Sequence, residues 1–174
     1  MRNSLIRIIL KHIVMATAKK HPFKRIDEKL KKLETEPEER YGFIHNSTWY
    51  PNEYFIEEAH EMVIKEYGGY AGYDTGIHLL QLILTEAKRA EGIYRKAAIL
   101  MRRLATRPCI YQDGNHRLAL VTTETFLNKN KEQIWTNNSQ EVYRFIKNIL
   151  SYNIDEIAAW LENGPKKRPS SQNP

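Results

Sequence analysis

From Asn115 to about Leu127 the chain reads Asn-His-Arg-Leu-Ala-Leu-Val-Thr-Thr-Glu-Thr-Phe-Leu. Wound as a helix, its first turns are apolar on nearly every side, and a helix of that kind has no face to offer water and must be buried. The remainder of the chain has to wall it in. Four further stretches have the required three- and four-residue apolar spacing: Phe55, Ala59, Met62 and Val63; Ile77, Leu80, Ile83, Leu84 and Ala87; Tyr94, Ala97, Ala98, Met101, Leu104 and Ala105; and Val142, Phe145, Ile146 and Ile149. Each predicts an amphipathic helix with its charged residues turned outward.

Punctuation between these segments agrees with helices. Gly68-Gly69 stops the first, with Asp74 or Thr75 placed to cap the second. Pro108 ends the third near Thr106, because a residue before proline avoids helical geometry. Asn153-Ile154-Asp155-Glu156 predicts a capping box for a last helix through Ile157, Ala158 and Leu161, stopped by Asn163-Gly164-Pro165. Residues 41–51 mix aromatics with His45, Asn46, Ser47 and Thr48, which suits an extended surface segment or a short hairpin whose aromatics cap a core more readily than they meet a ligand. With no alternating run long enough for a central strand, the expected class is all-α with at most one short hairpin.

At the other end of the chain, Leu5, Ile8, Ile9, Ile13 and Ala16 predict an amphipathic helix that lies on its own core, on a second copy or on a membrane face, the first being the usual outcome. Residues 24–40 are densely charged and read as a solvated helix or connector, and the segment from Lys166 onward, lacking apolar residues, is expected to be disordered. The net charge of +6 comes from these ends: no acid precedes Asp27, and Lys166-Lys167-Arg168 lies in the tail. Basic ends favour solubility or loose contact with an acidic partner over a nucleic-acid groove. One cysteine excludes an internal disulfide, no apolar run is long enough to span a bilayer, and residues 1–20 lack a clean signal peptide, so the chain is expected to be cytoplasmic.

The chemistry concentrates in Cys109-Ile110-Tyr111-Gln112-Asp113-Gly114-Asn115-His116-Arg117. A Gly between Asp and Asn, entering a helix that carries an Arg in its first turn, is how an anion site is built: free N–H groups, the positive end of the helix dipole and a fixed cation converge. The competing reading is an ordinary turn into a core helix, with Arg117 in a salt bridge and Asp113 as a turn cap.

This stretch resembles the signature of the Fic/Doc (Fido) family, His-x-Phe-x-Asp-Gly-Asn-x-Arg, with Tyr111 for Phe and with Asp113, Gly114, Asn115 and Arg117 in place. Cys109 stands where the family has its catalytic His. Gly68, Gly69, Gly72, Asp74 and Gly76 resemble a Gly-Gly-x-x-Gly-x-x-Asp-x-Gly-Leu segment of the Doc (death-on-curing) branch, with Tyr73 in place of an Arg, and residues 154–161 are similar to its ending. The resemblance implies a Fido-like helical bundle over residues 50–163, preceded by an extra helical segment and connector at 1–49 and followed by a basic tail at 164–174. It implies ATP or another nucleotide with Mg²⁺ and a transfer of AMP or phosphate to a protein hydroxyl. It further implies a target protein or an antitoxin-like partner, and the N-terminal helix offers a route to an oligomer.

Position by position, the resemblance assigns Gly114, Asn115 and His116 to the phosphates, Arg117 to their charge and Asp113 to Mg²⁺. Cys109 then takes the catalytic position. It is inert in a protein that only binds, or a thiolate sharpened by Arg107 and the nearby helix N-terminus, or it is replaced as base by His116. The first is the ordinary state of a lone buried thiol, so activity is expected to be weakened or lost, with a non-enzymatic interaction module that keeps only the fold as the alternative. Residues 88–93, where the family carries a hairpin flap that grips its target, are too few for one, and residues 158–163 only approach the family's inhibitory pattern.

Overall fold

The computed structural model describes residues 38–136 and 138–165. The expected N-terminal helix, most of the charged connector and the basic tail lie outside the described residues. A short turn of helix α1 (Glu38–Tyr41) leads into strands β1 (Gly42–His45) and β2 (Thr48–Pro51), followed by helices α2 (Glu53–Tyr67), α3 (Leu79–Arg89), α4 (Ile93–Ala105), α5 (Asn115–Lys129), α6 (Ser139–Lys147) and α7 (Ile154–Asn163), with one 3₁₀ turn at Ile149–Ser151. The fold is all-α with one antiparallel hairpin, in which Gly42 pairs with Pro51 and His45 with Thr48.

Local sequence explains most helix ends. Asn52 caps α2 by accepting from the Phe55 N–H at 3.0 Å. Asn153 and Glu156 form the reciprocal capping box that opens α7, at 2.9 and 2.8 Å. Neither Asp74 nor Thr75 caps α3, which starts at Leu79 after an uncapped His78. Their backbone N–H groups are instead taken by Ile110 and Cys109 carbonyls, both at 3.0 Å, because residues 72–76 are drawn into pairing with the loop before α5. Tertiary hydrogen bonds have overridden a local cap.

Helix α5 is the core, as its sequence requires. It lies against α4 most extensively and against α2, α6 and β2, with α3 and α7 completing the walls around α4. Leu118, Ala119, Phe126 and Leu127 have no exposed surface. The hairpin closes the far end: Tyr50 packs on Phe126 with ring centroids 5.5 Å apart, and Trp49 meets Phe55 edge-on at 6.0 Å. Asn130 fastens it, accepting from the Trp49 N–H at 2.8 Å and donating to the Trp49 carbonyl at 3.0 Å. The aromatics of this segment therefore cap a core. Tyr41 and Trp49 belong to the same core as Tyr50, so the packed unit runs through the boundary expected at 49/50.

Burial of α5 also encloses polar groups. The Thr122 and Thr123 hydroxyls have no hydrogen bond among the described residues. Glu124 is 8% exposed with no hydrogen bond or ion pair to any described residue, and desolvation pushes its carboxyl up to about 8. A carboxyl raised in the folded state binds its proton more tightly there than in the unfolded chain. Its contribution is fully present below the ordinary carboxylate range and is lost as pH rises from about 4.5 to about 8, at about 1.4 kcal/mol per unit. Glu124→Gln should therefore match the wild type below the ordinary carboxylate range, at about pH 3.5, and exceed it by a few kcal/mol at about pH 8.5 in urea denaturation. An equal difference at both pH values would contradict this.

Candidate functional site

The loop between α4 and α5 is held by three sets of contacts. The first is a bridge to the glycine-rich segment. Tyr73 pairs with Tyr111, the Asp74 and Gly76 N–H groups donate to the Ile110 carbonyl, and the Gln112 N–H donates to the Gly72 carbonyl at 2.9 Å. The two stretches that carry the family resemblance thus lie side by side.

The second set is internal. Asn115 accepts from the Tyr111 N–H at 3.3 Å and donates to the Tyr111 carbonyl at 2.6 Å. Its side chain is therefore occupied in bracing the loop, and only its backbone N–H remains for an anion. Asp113 Oδ1 accepts from the Gly114 N–H at 2.6 Å, while a Cβ built on Gly69 would lie 2.5 Å from Oδ2, so the carboxylate is seated against that glycine. The turn-cap reading of Asp113 is realised in this geometry. Among the described residues no cluster of three or more His, Cys, Asp or Glu side chains is built to hold a metal.

The third set comes from α2, and its chief residue, His60, is not singled out by the sequence pattern. His60 is 3% exposed. Its Nε2 lies 2.9 Å from the Asp113 carbonyl, and its ring stacks on Tyr111 with centroids 3.5 Å apart and planes 4° from parallel. Tyr73 covers the aromatic column at 5.1 Å from Tyr111, with its hydroxyl donating to Glu57 at 2.8 Å. One signal was available: His60 follows Ile56 by four residues and Ala59 by one, which places it on the buried side of α2.

Gly114 ends this loop and opens α5. Its φ of 78° is left-handed, and a Cβ there would lie 3.2 to 3.3 Å from Ile64, His60 and Val63. As the residue before the first turn it provides no side-chain cap. The Asn115, His116 and Arg117 N–H groups have no acceptor within the helix. Arg117 is not in a salt bridge: its guanidinium carbon lies 4.6 Å from the Tyr67 ring centroid, and it has no hydrogen bond or ion pair with a described residue. The Tyr67 hydroxyl is buried without a hydrogen-bond partner among the described residues and pushed up to about 12, chiefly by burial, then by Glu66, with Arg117 opposing.

The position that the resemblance assigns to the catalytic base is poorly equipped for proton transfer. Cys109 is half-buried, and burial followed by the charge of Asp74 raises its thiol above the ordinary range, outweighing Arg107. That opposes the sharpened thiolate. His116 is pushed down, first by burial and then by Lys147 of α6, which makes it a weaker base. The place of a flap is taken by the short link at Ala90–Gly92, whose Ala90 carbonyl accepts from Lys96 Nζ at 2.7 Å. The β1–β2 hairpin does not substitute for it, because it packs at the opposite end of α5, roughly 20 Å away at 1.5 Å per residue.

Two outcomes follow. Gly114→Ala should lower stability by about 1–3 kcal/mol in chemical denaturation, since it combines left-handed backbone with crowding from α2. Alkylation of Cys109 by iodoacetamide at neutral pH should be slower in the folded protein than in urea. Faster reaction in the folded state would restore the thiolate.

No family model, curated protein or solved structure matches the chain, and the site is read from its own chemistry.

Proposed function

We propose that this chain is a Fic/Doc-like protein that binds the phosphate groups of a nucleotide at the turn from Asp113 to Arg117, with transfer activity weakened or lost. The observation that carries this reading is the start of α5: an N-terminus without a side-chain cap, entered through left-handed Gly114, beside an arginine with no acidic partner among the described residues. Phosphate suits such a place, because backbone N–H groups and a guanidinium both donate to its oxygens. The guanidinium carbon of Arg117 lies 4.6 Å from the Tyr67 ring centroid, a cation–π contact that uses none of its N–H donors as hydrogen bonds.

Mg²⁺ fits only as a passenger on the nucleotide. Magnesium is ordinarily held by one or two carboxylates together with substrate phosphates, and Asp113 is the single carboxylate of the signature turn. Loss of transfer follows from the base. A hydroxyl must lose its proton to attack; the raised Cys109 thiol keeps its own proton and so is not in the form that could take another, and the lowered His116 imidazole accepts one less readily than an ordinary histidine.

The alternative, an interaction module that keeps the fold alone, draws on one feature: the Asp113 and Asn115 side chains are already occupied by the loop itself. Calorimetric titration with ATP and Mg²⁺ separates the two. The wild type should bind, and Arg117→Ala should bind at least about ten-fold more weakly, the scale of a lost charge-assisted hydrogen bond. Neither protein should transfer label from α- or γ-labelled ATP, whereas Cys109→His should regain some transfer. Absence of binding by the wild type to any adenine or guanine nucleotide would leave the interaction module in possession.

A further inference from the structure

We infer that His60 is the positioning residue of this site, setting from α2 the geometry in which the first turn of α5 is presented; the consequence for affinity rests on the phosphate-binding reading, whereas the geometric role does not. Three contacts argue it. A carbonyl only accepts, so the 2.9 Å contact with Asp113 requires the proton of His60 to be on Nε2. The same ring stacks flat on Tyr111. It also closes the space over Gly114, 3.3 Å from where a Cβ would lie.

One side chain thus touches residues on both sides of the turn and the glycine that completes it. Tyr111 is in turn gripped through its backbone by Asn115, inside the first turn of α5, so the orientation set by His60 passes into the helix start through two hydrogen bonds. Its burial at 3% exposed excludes direct contact with a ligand of any size, which separates its role from those of His116 and Arg117.

The test begins without ligand. Long-range ¹H–¹⁵N spectra of the wild type should show the Nε2–H tautomer of His60 at neutral pH, and the Nδ1–H tautomer would overturn the inference. His60→Phe keeps an aromatic ring for stacking and loses the donor, while His60→Gln keeps a donor of similar reach. Amide exchange of Tyr111 and Gly114 should accelerate about ten-fold in His60→Phe, the scale of one lost hydrogen bond, with amides of α4 unchanged, and His60→Gln should recover most of the protection. Unchanged exchange at Tyr111 and Gly114, or equal acceleration throughout α4, would reduce His60 to packing. If His60→Phe does not fold, the tautomer and the His60→Gln exchange decide. Calorimetry with ATP and Mg²⁺ is the second arm: His60→Phe should bind about ten-fold more weakly and His60→Gln close to wild type. A wild type that fails to bind ATP refutes the phosphate reading and leaves the exchange result to decide the positioning role; a wild type that binds equally to His60→Phe refutes the positioning role alone.

Discussion

Desolvation of α5 is the constraint from which the rest of the molecule follows. A helix with apolar residues on almost every side cannot be stable until other elements surround it, and here α4, α2, α6 and the hairpin do so. The enclosure is complete enough to strand two threonine hydroxyls and a carboxyl in apolar surroundings. Such groups cost stability when left without partners, and the compensating gain is the apolar surface that Leu118, Leu120, Phe126 and Leu127 remove from water in the same helix. The protein treats the two ends of α5 differently. Asn130 and the aromatic hairpin seal one, while a glycine and an arginine in no salt bridge with a described residue mark the other.

How much of this could be read from the residues depends on the range of the forces involved. Helix positions, the Asn52 cap, the Asn153–Glu156 box and the hairpin follow from local spacing and local hydrogen bonding, which a sequence displays directly. The failed cap at Asp74 and Thr75 marks where that stops: the competing acceptors are supplied by a distant loop. His60 was hidden for a related reason. A polar residue beside Ala59 looks like a boundary of the apolar face until the carbonyl it serves, in residue 113, is brought to it by tertiary folding.

The candidate site was legible in outline and altered in its details. Gly114 occupies the left-handed backbone that a tight turn into a helix calls for, and Arg117 has the freedom that an anion contact needs. Asn115 and Asp113 spend their side chains inside the loop, a division of labour that residue identity cannot reveal, since either side chain is equally able to face outward. The environment of Cys109 likewise depends on what packs over it and on the sign of the charge that Asp74 brings near.

The bridge between Tyr73 and Tyr111 has a bearing on the order in which the molecule assembles. Gln112 and Tyr73 are 39 residues apart in sequence, so closing that contact in an unstructured chain would be entropically slow. Helices α3 and α4, joined by only a short link, fill the interval and return the chain to its starting point once they pair. The turn before α5 thus depends on a helical hairpin that makes up none of it, because α3 and α4 hold its two strands of chain within reach of each other.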